Sequence, residues 1–307
     1  AYGLAAVCAD EPGVIAVARK DSPIVVGAGE TGAYVASDVI ALIDATRDVV
    51  VLEDGQFAKL TPAGVEYTDE AGNVIEPKVT HIDWDLDMAE KGGYPDFMLK
   101  EIHEQPRVVR DTLVGRMTPA GELDIDELGL SLEELNDIDR VYVIACGTSY
   151  HAGLIAKNLI EGWARIPTEV EAASEFRYRN PIITPTTLVV AVSQSGETAD
   201  TLAAIRDARI KGAKVFGITN VVGSPVARES DGVIYTKANK EIAVASTKSF
   251  IGQVVSLTLL ALLLAQVKYR LTTKQTRMMF RELSDTAEQI QWILDLSLIH
   301  ISEPTRL

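Results

Sequence analysis

The chain has 307 residues, which exceeds the usual length of one domain. Because 47% of the residues are apolar, the chain can form two cores, and a mainly disordered chain is excluded. Its formal net charge of -15 repels nucleic acid and anionic membranes, so neither is expected as a partner. The two cysteines, Cys8 and Cys146, lie far apart and outside any CxxC motif, which argues against a disulfide framework or zinc ribbon and predicts a cytoplasmic protein.

The first part of the chain, residues 1–82, predicts short strands separated by turns, in an antiparallel arrangement. The Asp54-Gly55 pair stands between two runs of alternating apolar residues. It predicts a β-hairpin, because a type I′ turn needs positive φ at its central residues. Cys8 lies in another predicted strand, where we expect it to pack in the core. Charge, a Gly-Gly pair and Pro95 then interrupt the strand pattern before a short helical pattern, and we place a linker over residues 83–106.

From Val141 onward, a buried strand, a polar loop and a helix follow one another repeatedly. Apolar strands that alternate with helices predict parallel pairing with helices on both faces, which is a doubly wound α/β domain. The strands are expected at 141–145, 187–192, 214–218 and 232–235, and the helices at 150–164, 199–211 and 249–269. The apolar stretch 254–267 is too short to span a bilayer of about 30 Å, so we expect a buried helix there.

Two of the strand-to-helix loops carry hydroxyl side chains beside a glycine: residues 146–149 (CGTS) and 193–198 (SQSGET). Backbone N–H groups and the positive end of a helix dipole favour an anion at such a position, so both loops are candidates for a phosphate. The alternative is that Ser and Thr only cap the helices. Three hydroxyls in six residues favour phosphate for the second loop, whereas the first loop stays open between the two interpretations.

Neither loop is a GxxxxGK[ST] or GxGxxG sequence, which favours a small phosphorylated metabolite over a nucleotide cofactor. A third loop, residues 244–248 (VASTK), also puts hydroxyls ahead of a helix. Lys248 could neutralise a phosphate there, or it could equally be solvated or paired for structural reasons. We therefore leave it out of the predicted site.

No metal site is predicted from the sequence. Asp83, Asp85 and Asp87 imitate the start of a calcium-binding loop, but Met88 and Tyr94 stand where that loop needs Gly and Glu. The histidines show no mutual spacing that is typical of a metal site or a catalytic triad.

Several segments together resemble one family, in this order and spacing: ACGTSYHAG, EFRYR, VSQSGETADTL, ARESD and VASTKSF. They are similar to the first sugar-isomerase (SIS) subdomain of the glutamine-fructose-6-phosphate aminotransferase family. The segment KGGYPDFMLKEIHEQP resembles that family's linker, and the strand-rich segments SPIVVG and ASDVIAL resemble the second half of its glutaminase domain. The resemblance covers residues 1 to about 295. It implies a partial β-rich N-terminal-nucleophile glutaminase module over 1–82, the linker over 83–106 and the first SIS domain over 107–295.

The resemblance implies an enzyme of two sites, one that releases ammonia from glutamine and one that converts fructose 6-phosphate to glucosamine 6-phosphate without a metal or organic cofactor. It also implies a cytoplasmic homodimer for the parent protein. The implied substrate-binding residues are Thr148, Ser149, Ser193, Gln194, Ser195, Thr198 and Val244. The alternative is a SIS-domain sensor of sugar phosphates without catalysis. That alternative is disfavoured because residues 1–80 contain no basic helix-turn-helix pattern.

Two features of the family have no counterpart in this sequence: the glutaminase half with the nucleophilic cysteine, and the second SIS subdomain with the isomerising residues. We therefore assign no catalytic residue and expect an internal fragment that is inactive alone. Residues 296–307 resemble the translation of a sequencing-library adapter and are expected to be non-native.

Overall fold

The computed structural model describes residues 2–20, 22–29, 32–37, 39–42, 45–81, 91–125 and 129–302. The chain divides into two compact units, residues 1–92 and 93–307. Each unit buries its own apolar clusters. The three aspartates at 83, 85 and 87 lie outside the described residues.

The first unit consists of two antiparallel four-stranded sheets, in agreement with the predicted antiparallel, strand-rich character. One sheet has the strand order β1-β2-β6-β7 and the other β4-β3-β5-β8. Val17 and Leu60 from the first sheet share a buried cluster with Val26 and Val50 from the second, so the core lies between the sheets. The strands are β1 Tyr2–Val7, β2 Ile15–Lys20, β3 Val25–Gly29, β4 Gly32–Ala36, β5 Asp48–Val51, β6 Phe57–Thr61, β7 Gly64–Thr68 and β8 Val79–His81, with a 3-10 turn at Val39–Leu42.

The hairpin predicted around Asp54-Gly55 is wrong. The chain turns there, with Gly55 at φ +79°, but β5 and β6 belong to different sheets. The Gly55 N–H donates to the Arg19 carbonyl at 3.2 Å, so the turn is tied to β2 instead. A turn signal reports only the local backbone, whereas strand pairing depends on which face each strand buries.

The expectation that Cys8 packs in the core is also wrong. Cys8 is exposed, because it follows β1, an edge strand whose six residues are all exposed. Alternation of apolar residues in a strand does not distinguish an edge position from a central one.

The second unit is built on a parallel five-stranded sheet of order β10-β9-β11-β12-β13, which confirms the predicted doubly wound α/β architecture. All seven residues of the central strand β11 are buried, as expected for a parallel strand covered on both faces. The edge strand β10 was not predicted, since Val170 is flanked by Glu169 and Glu171. The strands are β9 Arg140–Ala145, β10 Thr168–Ala172, β11 Thr187–Ser193, β12 Lys214–Thr219 and β13 Gly232–Tyr235.

Helices cover both faces of this sheet. They are α1 Phe97–Leu113, α2 Leu132–Asp137, α3 Gly147–Leu159 with a π-helical turn at Ile160–Ala164, α4 Ala173–Arg179, α5 Ala199–Ile210, α6 Pro225–Glu229, α7 Lys248–Val267 and α8 Thr273–Ser302. On one face, α3 and α7 pack on the cluster that contains Val143 and Val190. On the other face, α4 and α5 pack on the cluster that contains Tyr142 and Val189.

Two helices differ from the sequence prediction. The first, α1, begins inside the region predicted as a linker and belongs to the second unit, because Val109 and Leu113 pack against α7 and α8. The second, α8, continues through residue 302, into the stretch 296–307 that was expected to be non-native. No glycine or proline interrupts the sequence before Pro304, so nothing in the intervening residues breaks the helix.

The apolar helix α7 is long enough to cross a membrane by length and composition, yet 72% of its most apolar window is buried inside the protein. The prediction of a buried helix is confirmed. A core helix covered by neighbouring elements has the same composition as a membrane span, so length and apolarity alone are weak indicators here.

The start of α2 is fixed by a capping box. The Glu134 N–H donates to Ser131 Oγ at 3.1 Å, and Glu134 Oε2 accepts from the Ser131 N–H at 2.9 Å. Lys214 Nζ donates to the other oxygen of Glu134 at 2.5 Å. These contacts lower the pKa of Glu134 to about 2, and the Lys214 hydrogen bond contributes most.

A carboxyl whose pKa is lowered in the folded state contributes stability above its unfolded pKa and loses it as the pH falls toward the folded value. We therefore predict that the Glu134→Gln variant unfolds at a lower urea concentration than wild type at pH 6. The difference should shrink as the pH falls from about 4.5 toward about 2. Urea titrations across that range check the prediction, and a difference that does not change with pH would contradict it.

Candidate functional site

A cavity of about 410 Å³ lies at the carboxyl ends of β9 and β11. These strands are neighbours in the sheet, but the chain leaves β9 toward β10 on one side and later returns to form β11 on the other. The loops that follow the two strands therefore diverge and leave a crevice between them, which is where open α/β sheets bind ligands.

The structure brings all seven predicted substrate-binding residues to this one cavity. Its lining consists of Cys146, Gly147, Thr148, Ser149, Val192, Ser193, Gln194, Ser195, Thr198, Val244, Ala245 and Ser246. Five of these residues were not predicted. Cys146, Gly147, Ala245 and Ser246 lie in the predicted loops, so extending each prediction to the whole loop would have found them.

The loop 193–198 is held by its own hydroxyl groups. The hydroxyls of Ser193 and Thr198 are 2.9 Å apart, and Ser193 Oγ also accepts from the Gly196 N–H at 3.0 Å. Ser195 Oγ accepts from the Glu197 N–H at 3.2 Å. These hydrogen bonds within the loop fix its shape, which lowers the conformational-entropy cost of binding a ligand there.

Gly196 is required by both its backbone and its surroundings. Its φ of +69° lies in the left-handed region, and a Cβ at this position would lie 2.1 Å from Ser224 Oγ and 2.8 Å from Thr219 Oγ1. The Gly196 carbonyl accepts from the Val226 N–H at 3.0 Å. The loop is thus packed tightly against the segment that follows β12.

The capping interpretation does not account for Thr198. Thr198 occupies the N-cap position of α5, but its side chain makes no capping hydrogen bond. Cys146, at the N-cap of α3, makes none either. The first backbone N–H groups of both helices therefore lack a side-chain cap, and both helix dipoles favour an anion beside the cavity.

The third helix that begins at the cavity, α7, is different. Glu241 Oε1 accepts from the Thr247 N–H at 2.8 Å and from the Ser249 N–H at 3.2 Å. Because Glu241 already accepts from these N–H groups, they are not available to a phosphate. Among the three helices, α3 and α5 are the ones suited to an anion.

Lys248 is paired for structural reasons. It is 4% exposed, and its Nζ lies 2.6 Å from Glu104 Oε2 on α1. It does not line the cavity. No residue in the cavity lining carries a formal charge, so the groups that face a ligand there are hydroxyls, one side-chain amide and backbone groups.

Comparisons with known proteins agree with this geometry. Residues 134–263 match the family model described as SIS domain. These residues are a SIS domain. The chain is 48% identical to the glutamine-fructose-6-phosphate aminotransferase (isomerizing) of Clostridium perfringens over 95% of its own length and 48% of the relative. It is 51% identical to the enzyme of the same name from Symbiobacterium thermophilum over 96% of this chain and 49% of the relative.

The solved C-terminal domain of glucosamine-fructose-6-phosphate aminotransferase from Francisella tularensis also matches. It is 40% identical, with a TM-score of 0.64, over 67% of this chain and 58% of that one. The similarity inferred from the motifs is thereby confirmed, and the SIS domain contains the loops after β9 and β11. The chain spans about half the length of the curated relatives it matches.

Among the residues that the structure describes, no group of three or more His, Cys, Asp or Glu side chains is arranged to hold a metal ion. His81 contacts Asp48 at 2.6 Å in an exposed position, and His103 stacks on Tyr94 at 5.0 Å between ring centres. Neither histidine lines the cavity of the SIS domain.

The tight packing around Gly196 gives a testable prediction. Gly196→Ala should lower the free energy of unfolding by about 1–3 kcal/mol beyond the backbone strain, because the added methyl group meets Ser224. Gly223 is a matched control, since its φ is also +69° but nothing lies within 4 Å of its Cβ position. Gly223→Ala should cost only the strain of a left-handed residue, roughly 1–2 kcal/mol. Equal losses in urea denaturation of the two variants would contradict the prediction.

Proposed function

We propose that the SIS domain of this chain binds a phosphorylated sugar, fructose 6-phosphate or glucosamine 6-phosphate, in the cavity at the ends of β9 and β11. The proposal depends on one observation above all. The hydroxyl-bearing residues of two loops far apart in sequence line a single cavity between two helix N-termini.

The phosphate is proposed to lie against the loop 193–198. This loop offers the backbone N–H groups at the start of α5 and three hydroxyls. Because Ser193 and Thr198 bond each other, two of these hydroxyls can donate to a phosphate. Thr148, Ser149 and Val244, on the other two loops, are proposed to contact the sugar. The cavity of about 410 Å³ is large enough for a hexose phosphate.

For the parent protein, we propose the activity named for the relatives: transfer of the amide nitrogen of glutamine to fructose 6-phosphate with isomerisation, which gives glucosamine 6-phosphate and glutamate. In that proposal the two antiparallel sheets of the first unit are part of a glutaminase module. The parent is further proposed to be a cytoplasmic homodimer. The identity of 48% over 95% of this chain supports these proposals.

The phosphate position is tested by removing hydroxyls. Ser195→Ala and Thr198→Ala should each weaken fructose 6-phosphate binding roughly tenfold to a hundredfold, because each loses one hydrogen bond to a charged group, worth ~1.5–3 kcal/mol. Binding of unphosphorylated fructose should change much less. Calorimetric titration of both sugars into wild type and variants measures the difference.

Ser131→Ala serves as the control for these variants. Ser131 is a true N-cap, in the capping box of α2, and it does not line the cavity. Its loss should cost ~1 kcal/mol of stability and leave sugar-phosphate affinity unchanged. If Ser195→Ala and Thr198→Ala behave like Ser131→Ala, with lower melting temperature and unchanged affinity, the assignment of the loop to phosphate is wrong.

We also propose that this chain binds the sugar phosphate without converting it. The relatives named as aminotransferases are about twice as long, and acid–base steps need a carboxyl, imidazole or amine group that the cavity lining does not offer. Incubation of the purified chain with glutamine and fructose 6-phosphate should give no glucosamine 6-phosphate. Its formation at a rate proportional to the chain concentration would contradict the proposal.

A further inference from the structure

One wall of the cavity is held by a residue of α1. The segment 241–247 is the later part of the connection between β13 and α7; its backbone is irregular, and it carries Val244 to the cavity. Glu101, in the second turn of α1, is 2% exposed and directs its carboxylate at this segment. Glu101 Oε1 accepts from the Ile242 N–H at 2.6 Å, and both carboxylate oxygens lie 3.3 Å from the Ala243 nitrogen.

The other end of the segment is fixed by Glu241. Besides its contacts with the Thr247 and Ser249 N–H groups, its second oxygen accepts from Ser246 Oγ at 2.9 Å. The residues that reach the cavity, Val244 to Ser246, therefore lie between two anchored points. The anchor at the start is the Glu101 carboxylate, which comes from an element 141 residues away in sequence.

The charge of the Glu101 carboxylate does not itself stabilise the fold. Burial raises the pKa of Glu101 above its ordinary value, although the amides of Ile242 and Ala243 and the charge of Lys248 oppose the shift; the nearby Glu241 adds to it. A carboxyl with a raised folded-state pKa keeps its proton longer in the folded protein than in the unfolded chain. Ionisation of Glu101 therefore lowers stability as the pH rises through that window.

We propose that Glu101 is a positioning residue for the sugar-phosphate cavity. By accepting from the backbone of Ile242 and Ala243, it sets where Val244 and the following residues stand relative to the ligand. This inference rests on the proposed function of the cavity. Glu101 itself does not line the cavity; it acts on the cavity through the backbone of the segment 241–247.

The variant Glu101→Gln tests the proposal, because it keeps the shape of the side chain and replaces one acceptor oxygen by a donor. Amide hydrogen exchange at Ile242 and Ala243, followed by NMR, should become about tenfold faster in the variant. Fructose 6-phosphate affinity should fall roughly twofold to tenfold, the equivalent of one ordinary hydrogen bond. The melting temperature at pH 7 should change little, because the lost acceptor and the removed cost of a buried charge oppose each other.

The pH dependence provides a second readout. As the pH falls below the pKa of Glu101, the wild-type carboxyl becomes neutral, so the affinities of wild type and Glu101→Gln should converge. Lys248 and Glu241, the charged groups that act on Glu101 from α7 and from the segment itself, are unchanged in the variant. Comparing the two proteins at each pH also cancels the titration of the ligand phosphate.

Asp111→Asn is the control, since Asp111 lies on α1 but pairs with Arg107 in an exposed position away from the segment. It should change neither exchange nor affinity. Faster exchange in Glu101→Gln with unchanged affinity overturns the positioning role while the proposed function stands. Weaker binding together with a lower melting temperature also overturns it, because a general loss of structure explains both. Failure of wild type itself to bind fructose 6-phosphate overturns the proposed function, and the positioning role with it.

If Glu101→Gln does not yield folded protein, Glu241→Gln provides the test from the other end of the segment. It loosens the contacts with Ser246 and the start of α7 and should weaken fructose 6-phosphate binding in the same direction. An unchanged affinity in this variant would show that the position of the segment does not matter for binding, which overturns the proposal.

Discussion

The parallel pairing of β9 with β11 brings together two loops that are nearly fifty residues apart in sequence. In this register Ala145 lies opposite Val192, so the next residues, Cys146 and Ser193, leave the same edge of the sheet side by side. Because each loop leads into a helix, the N-termini of α3 and α5 come to border one crevice. A shift of one residue in either strand would turn its side chains to the opposite face and separate the two loops.

The cavity lining carries no formal charge, yet the geometry of the two loops suits it to an anion. A phosphate at this position would be stabilised by oriented backbone N–H groups, helix dipoles and hydroxyls. The net charge of -15 does not oppose this, because dispersed surface charge is screened over ~8 Å at physiological salt. The two acidic side chains that hold the segment 241–247, Glu101 and Glu241, direct oxygens at N–H groups of that segment and of α7. These N–H donors partly offset the negative potential that the two carboxylates produce in the cavity.

The sequence predicted those features that depend on a pattern within one element. The alternation of buried strands and helices from Val141 predicted the sheet, and the hydroxyl-rich loops at its strand ends predicted where a phosphate could bind. The family resemblance implied the seven residues that line the cavity. Pairing between distant elements was not predictable in this way. The Asp54-Gly55 turn was recognised, but which sheets β5 and β6 join depends on burial across the whole first unit. β10 was not predicted because its charged residues hide the apolar pattern of a strand. At the edge of the sheet, Glu169 and Glu171 can pair with Arg179.

Glu101 illustrates why a charged segment should not be assigned to a linker by composition alone. Residues 97–106 look solvated in sequence, yet α1 packs against α7 and α8 and directs two carboxylates inward, Glu101 to the Ile242 backbone and Glu104 to buried Lys248. Both partners are buried or partly buried, and each would lose its acceptor if α1 were absent. A donor or cation left without a partner in such a place costs more than an ordinary hydrogen bond contributes. The segment 241–247, which forms one wall of the cavity, depends on Glu101 from α1. The physical unit that forms the cavity therefore includes α1 and extends beyond the SIS match at 134–263.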